Sequence, residues 1–273
     1  MSYKLICIDI DGTLLRDDKK LSKRNIDAIK AATNKGVHVA ISTGRIFPSA
    51  NYYADLIGVK SPVIASNGAY IKNSSEDKVI YEKPMNLEKT IRIIEILREY
   101  KLRPHFNTPN KILTEDLEFS NKVYSKMNEV LSENNKVDIE LVDTWENALK
   151  KYEHKVLKGI IVDKDINKIR EVKEIVAKEE GIEVVSSYSN NFEVMSKGIS
   201  KGNAVSILSD MLGIERENVM CIGDSENDLS MIKFAGLGVA MGNAAECIKE
   251  NADYITDINN EDGVAKAIEK FIL

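Results

Sequence analysis

The sequence predicts a doubly wound parallel-sheet α/β core interrupted by an inserted α+β domain. At both ends of the chain, short apolar runs alternate with amphipathic helical patterns, the rhythm of strands covered on both faces by crossover helices. Between about Met85 and Ser196, strand-like pieces instead follow one another through tight turns, which points to an antiparallel sheet. The predicted division assigns 1–84 and 197–273 to the core and 85–196 to the insert, with hinges at Lys83-Pro84 and Ser196–Gly198.

The first strand is Lys4–Ile10 (KLICIDI), nearly continuous in apolar residues. Ser22 caps a helix with Ile26, Ile29 and Ala32 on one face, and Gly36 stops it. Val37–Ile41 is the second strand, a short helix is expected around Ser49–Ile57, and Val63–Ala65 is the third strand. The insert opens with a helix over Leu87–Tyr100, followed by strand-like His105–Asn107 and Lys111–Thr114. A helix near Leu117–Ser132, a strand over Val156–Val162 and a helix over Asp165–Glu179 come next. Ile182–Tyr188 and Phe192–Met195 flank the hairpin signal Ser189-Asn190-Asn191. The core rhythm then resumes with a helix over Lys201–Leu212 ended by Gly213, a strand over Val219–Ile222 and a helix from about Glu226 to Phe234. Leu237–Met241, a helix near Ala244–Glu250, Tyr254–Thr256 and a closing helix complete the chain.

Composition narrows the function. The 273 residues are 43% hydrophobic and 30% charged, ordinary for a soluble globular protein with a sizeable core. A formal net charge of −5 gives no general attraction to nucleic acid or anionic membrane, so neither is expected as a partner. An anionic ligand would need a local arrangement of donors or a cation. Cys7, Cys221 and Cys247 form no metal-binding spacing, and the first and second sit in apolar runs as buried thiols would. No apolar stretch approaches the ~20 residues of a membrane helix, and no signal peptide is evident, so a cytoplasmic location is expected.

Two acidic strand ends stand out. In Asp9-Ile10-Asp11-Gly12-Thr13 the carboxylates are two residues apart, on one side of a strand, at the sheet edge where open α/β folds bind ligands. Such a pair suits Mg²⁺ or a coupled acid–base pair, although a plain Asp-Gly turn has the same letters. Gly223-Asp224-Ser225-Glu226-Asn227-Asp228 follows another buried strand and offers further oxygen ligands for a hard cation, or helix caps. Ser42-Thr43-Gly44-Arg45 presents a hydroxyl and amides before a helix, either an anion site or a simple cap. Lys201 opens a helix, where the macrodipole disfavours a cation unless an anion lies beside it or water solvates it. His38, His105 and His154 show no ligand or triad spacing. Together these parts match phosphoryl transfer, which needs positioning, charge neutralisation and a nucleophile.

The ordered motifs DIDGTLL (Asp9–Leu15), STGR (Ser42–Arg45), SNGAY (Ser66–Tyr70), KGISKGNA (Lys197–Ala204), GDSENDLSM (Gly223–Met231) and VAMGNA (Val239–Ala244) resemble the haloacid dehalogenase superfamily of phosphohydrolases, in its Cof-type branch. The resemblance covers both halves of the core and implies a Rossmann-like core with an inserted α/β cap. It further implies Asp9 as nucleophile forming an aspartyl-phosphate, with Asp11 as acid then base. Mg²⁺ would be held by Asp9, the Asp11 carbonyl and Asp224, with Asp228 in support. Thr43, Gly44, Asn227 and Lys201 would bind the phosphoryl oxygens, Lys201 also offsetting the charge of Asp9. Arg45 and Asn67 are further candidates for substrate contact.

The expected activity is therefore Mg²⁺-dependent hydrolysis of a small phosphate ester, such as a sugar phosphate, pyridoxal phosphate or flavin mononucleotide, by a monomer or small homo-oligomer. A phosphomutase using the same Asp9 chemistry, and a non-catalytic phosphometabolite-binding protein, are the alternatives. The insert carries no comparable motif, and residues near Ser189–Asn191 are the candidates there for touching substrate.

Overall fold

The structure, a computed structural model, describes residues 2–73, 75–117, 124, 128–129, 131 and 136–273. The first part of the chain runs β1 (Leu5–Ile8), α1 (Lys23–Asn34), β2 (His38–Ile41), α2 (Phe47–Ile57), β3 (Val63–Ala65), β4 (Tyr70–Asn73) and β5 (Lys78–Glu82). The Ser22 hydroxyl accepts from the Asn25 amide to start α1, and Pro48 presets the first turn of α2. The middle part runs α3 (Leu87–Glu99), β6 (Pro104–Asn107), β7 (Lys111–Thr114), β8 (Asp138–Leu141), α4 (Trp145–Lys151), β9 (Lys158–Val162), α5 (Ile166–Val176), β10 (Ile182–Val185) and β11 (Asn191–Ser196). The helix expected near Leu117–Ser132 falls mostly outside the described residues. The last part runs α6 (Lys201–Leu212), β12 (Val219–Gly223), α7 (Leu229–Phe234), β13 (Leu237–Ala240), α8 (Glu246–Lys249), β14 (Tyr254–Ile255) and α9 (Gly263–Phe271).

Strands from the first and last parts build one parallel sheet in the order β14-β13-β12-β1-β2. Its central strand β12 and neighbour β1 are wholly buried, with Cys7 opposite Cys221, so the two thiols pack as core side chains. Two acidic loops, after β1 and after β12, thus leave adjacent strands at the same carboxyl edge. One expectation needs amending. β3 meets the parallel sheet only through a single bridge, Ser42 to Ile64, and then turns into an antiparallel meander with β4 and β5. Its three residues leave no room for a longer ladder, and the chain reverses at Ser66–Gly68 rather than crossing over.

The middle part forms a second, six-stranded sheet in the order β10-β11-β9-β6-β7-β8, antiparallel except for β7 with β8. One face packs on α3, α4 and α5 around Phe106, Trp145, Ile161 and Val194, a hydrophobic cluster of its own. Because side chains alternate along a strand, the residues between these, His105, Asn107, Lys158, Ile160 and Glu193, point to the opposite face and towards the parallel sheet. This sheet is the cap over the core.

Candidate active site

The carboxyl edge of the parallel sheet and the inner face of the cap enclose a cavity of about 320 Å³, within the range typical of small-molecule sites. Its floor is built by β1 and β12. Asp9 directly follows β1, and Asp224 and Asp228 follow β12; ligand oxygens of all three lie within 4.8 Å of one another. Gly12 lets the first loop come this close: its φ of 79° suits glycine, and a side chain there would strike the Asp224 carboxylate.

Each acid is held from a different side. Thr13 Oγ1 donates to Asp224 Oδ1 at 2.7 Å and Ser225 Oγ to Oδ2 at 2.9 Å. Asp228 Oδ2 accepts from the amides of Asp224 (2.9 Å) and Ser225 (3.0 Å), fixing the turn through a capping box. Lys201, fully buried at the first position of α6, donates to Asp9 at 2.6 Å and to Asp228 Oδ1 at 2.5 Å. Burial works against the lysine charge, but Asp228 and Asp9 outweigh it and raise its proton affinity. The helix start that looked unfavourable for a cation is thus offset by two carboxylates.

One ammonium does not balance three carboxylates, two of them buried and Asp224 half-buried. Burial raises the Asp9 carboxyl well above the usual range despite Lys201, with Asp228 and Asp224 adding to the rise. Burial, then the neighbouring Asp228, pushes Asp224 up to about 6. Such an all-oxygen, charge-deficient set fits a hard divalent cation, as Mg²⁺ is.

Asp11 is placed differently. Its carboxylate turns from this cluster to a two-point ion pair with Arg45, at 2.6 Å (Nε) and 2.8 Å (Nη2), with Lys19 at 3.4 Å. Burial favours its neutral form, yet Arg45 and Lys19 prevail and hold it down at about 2. Arg45 is itself braced by the Ser49 hydroxyl (3.1 Å) and the Tyr53 ring.

Thr43 and Gly44 line the cavity beside Asp9. Thr43 Oγ1 accepts from the Arg45 amide at 3.2 Å, tightening the loop. Asn227 Nδ2 donates to Asn67 Oδ1 at 3.1 Å, and Asn67 Nδ2 donates to Glu193 of the cap. Ser66 and Asn67 both hold positive φ (49° and 56°), a conformation unusual for two successive non-glycine residues and a mark of a turn held by its surroundings. The candidate residues Asp9, Thr43, Gly44, Asn67, Lys201, Asp224, Asn227 and Asp228 are therefore contiguous, and Asp11 with Arg45 forms a second group on the same cavity.

Sequence reasoning did not find three cap residues. Lys158 and Glu193, both almost fully buried, pair at 3.1 Å. Lys158 also donates to the Gly44 carbonyl at 2.5 Å, and a side chain on Gly44 would crowd Asn67, Lys158 and Glu193. Asn107 is buried beside them. A usable signal existed, a lone charge inside an apolar strand, in VLKGIIV and again in NFEVM. From the predicted hairpin, Asn190 and Asn191 line the cavity, Asn191 accepting from the Ser187 and Tyr188 amides at 3.1 and 3.0 Å.

Known proteins agree with this architecture. Residues 6–268 match the model of a haloacid dehalogenase-like hydrolase family. The chain is 39% identical over 277 residues to a 5-amino-6-(5-phospho-D-ribitylamino)uracil phosphatase of Bacillus subtilis, covering 100% of this chain and 97% of that protein. A haloacid dehalogenase-like hydrolase of Bacteroides thetaiotaomicron superposes with a TM-score of 0.81 at 34% identity, over 98% of this chain and 99% of that one. Another from B. subtilis reaches a TM-score of 0.87 at 28% identity, over 98% and 100%. The chain belongs to the haloacid dehalogenase-like hydrolase family, and it is a phosphoric monoester hydrolase.

Proposed function

We propose that the chain hydrolyses small phosphorylated metabolites through a phosphorylated Asp9, with Mg²⁺ held by Asp9, Asp224 and Asp228. The observation that carries this reading is the convergence of those three acids and Lys201 at the floor of a cavity roofed by the cap. The cation would offset the mutual repulsion of the carboxylates and draw charge from the phosphoryl oxygens. The Asp11 carbonyl is a further candidate ligand.

In this reading the protein groups divide the work. Asp9 attacks phosphorus; the P–O bond to the leaving group breaks, and Asp11 gives that oxygen its proton. Asp11 then takes a proton from the water that releases phosphate from Asp9. Thr43, Gly44, Asn227 and Lys201 hold the phosphoryl oxygens, and Lys201 limits the charge on Asp9. The Arg45 pair keeps Asp11 ionised in the structure described, so the acid step requires Arg45 to turn towards the incoming dianion and leave Asp11 free to carry a proton. Residues 85–196 act as the cap, excluding water and choosing the leaving group.

Candidate substrates are sugar phosphates, pyridoxal phosphate, flavin mononucleotide and, because of the B. subtilis relative, a ribitylaminouracil phosphate. Among the described residues no helix is long and apolar enough to cross a membrane. The test is phosphate release from a panel of such esters with Mg²⁺ and with chelator. Metal-dependent release is expected, falling on the order of 10⁴-fold in Asp9→Asn. An Asp9→Asn protein of full activity would sink the aspartyl-phosphate, and glycerol-insensitive phosphate transfer between sugar hydroxyls would favour a mutase.

A further inference from the structure

The cap residue Asn107 has a feature that fold and catalysis leave unused. It is fully buried, lines the catalytic cavity, and neither its Oδ1 nor its Nδ2 has a hydrogen-bond partner. Among the described residues it is the one side chain with both polar atoms unpaired in this way. An unmatched buried amide costs stability, so a protein retains one where a ligand completes it.

Its place defines what that ligand group is. In the cap sheet Asn107 is flanked by Lys158 on β9 and Ile112 on β7. Lys158 is bonded to the Gly44 carbonyl, and Ile112 packs in a cluster with Ile46. Asn107 is thereby held above the Thr43–Arg45 loop, opposite the phosphoryl site, where the first atoms of a leaving group must lie. The charges of its neighbours Lys158 and Glu193 already satisfy one another, so a neutral partner is called for. That partner must both donate and accept, as adjacent hydroxyls do. Further along the cap sheet the cavity wall mixes apolar Ile160 and Val162 with polar His105 and Asn191.

We propose that Asn107 is a specificity-determining residue that reads hydroxyl groups on the carbons next to the phosphate ester, selecting polyol phosphates over unsubstituted alkyl or aryl phosphates. This rests on the phosphatase reading of the cavity floor and adds to it the chemistry of the leaving group.

The experiment compares wild-type protein with Asn107→Leu, which keeps the side-chain shape and removes both polar atoms. Ribitol 5-phosphate and n-pentyl phosphate, equal in chain length and different in hydroxyls, are the two probes, with phenyl phosphate as a general check of phosphate release. Wild type should prefer ribitol 5-phosphate, and the preference, read as a ratio of kcat/KM, should shrink on the order of tenfold to a hundredfold in Asn107→Leu. The same substitution should raise the Tm of the ligand-free protein, because an unpaired buried amide is gone. A purely structural asparagine would give the opposite, a lower Tm with the ratio unchanged, and that result overturns the proposal. So does a wild-type enzyme that cleaves phenyl phosphate yet shows no preference for the polyol ester. If no ester is cleaved, the phosphatase reading fails separately. The proposal is then decided by calorimetric affinities of the two probes for Asp9→Asn with and without Asn107→Leu, equal losses for both probes counting against it.

Discussion

The floor and the roof of the cavity both bury charge, and they balance it in opposite ways. On the floor, three carboxylates share one ammonium, and burial leaves Asp9 and Asp224 with raised proton affinity. On the roof, Lys158 and Glu193 match one for one, and burial lowers the proton affinity of Lys158 against the pull of Glu193. The difference separates two jobs. An unbalanced cluster is completed by something it binds, whereas a balanced pair is a fixed wall that anchors the cap to Gly44 and Asn67. Neither charge set was placed for stability alone, since apolar residues of the same volume would hold a core as well.

Removing one cation from each region breaks the comparison most directly. Lys201→Met strips the floor of the one ammonium that touches Asp9 and Asp228 among the described residues, and should cost about 3–5 kcal/mol in metal-free protein, measured by urea unfolding. Saturating Mg²⁺ should restore part of this, about 2.7 kcal/mol at a hundred times the dissociation constant. Loss of stability that Mg²⁺ leaves untouched would mean that the three acids do not share a cation site.

Lys158→Met should cost less, about 3 kcal/mol, because the ammonium faces one carboxylate instead of two. Here Mg²⁺ should make no difference. Adding Glu193→Leu in the same chain should recover most of the loss, since the orphaned carboxylate goes with its partner. Strict additivity of the two substitutions would show that the pair is not the unit described.

A smaller effect distinguishes the regions by pH. Burial holds His105, on the roof, neutral with a pKa of about 4, although Asp116 pulls it upwards. The folded value lies below the unfolded one of about 6.5, so the unfolded chain takes the proton first and stability falls as pH drops from about 6.5 towards 4. Between pH 7 and pH 5 this amounts to about 2 kcal/mol. His105→Gln lacks that loss, so its stability gap to wild type should shift by that amount in the variant's favour at pH 5. Both proteins carry the same floor, where raised Asp224 acts with the opposite sign between about pH 4 and 6, so the difference between them isolates the roof. A gap constant with pH would place a charged imidazole in the folded protein.

The parallel core was legible because its signals are local. An apolar run such as LICI can only be covered on both faces, and Ser22, Gly36 and Gly213 mark helix ends through short-range geometry. The β3–β5 meander was missed because its register depends on a turn at Ser66–Gly68 with left-handed backbone at serine and asparagine, which residue type alone does not announce. On the floor, the candidates sat in contiguous motifs at strand ends. On the roof, Asn107, Lys158 and Glu193 come from three separate strands and share a face only through the cap's register, Asn107 opposite Lys158 and Glu193 opposite Ile160.

The sequence by itself determined the alternation of strands and helices and the acidic ends of β1 and β12, because each depends on neighbours a few positions away. Only the tertiary structure decided that the Asp11 carboxylate pairs with Arg45 instead of joining Asp9, and that Lys201 is fully buried between two acids. It alone set an unpaired asparagine over the phosphate loop. Those facts depend on which oxygen or amide comes within about 3 Å of which, a distance fixed by packing two sheets together and invisible along the chain.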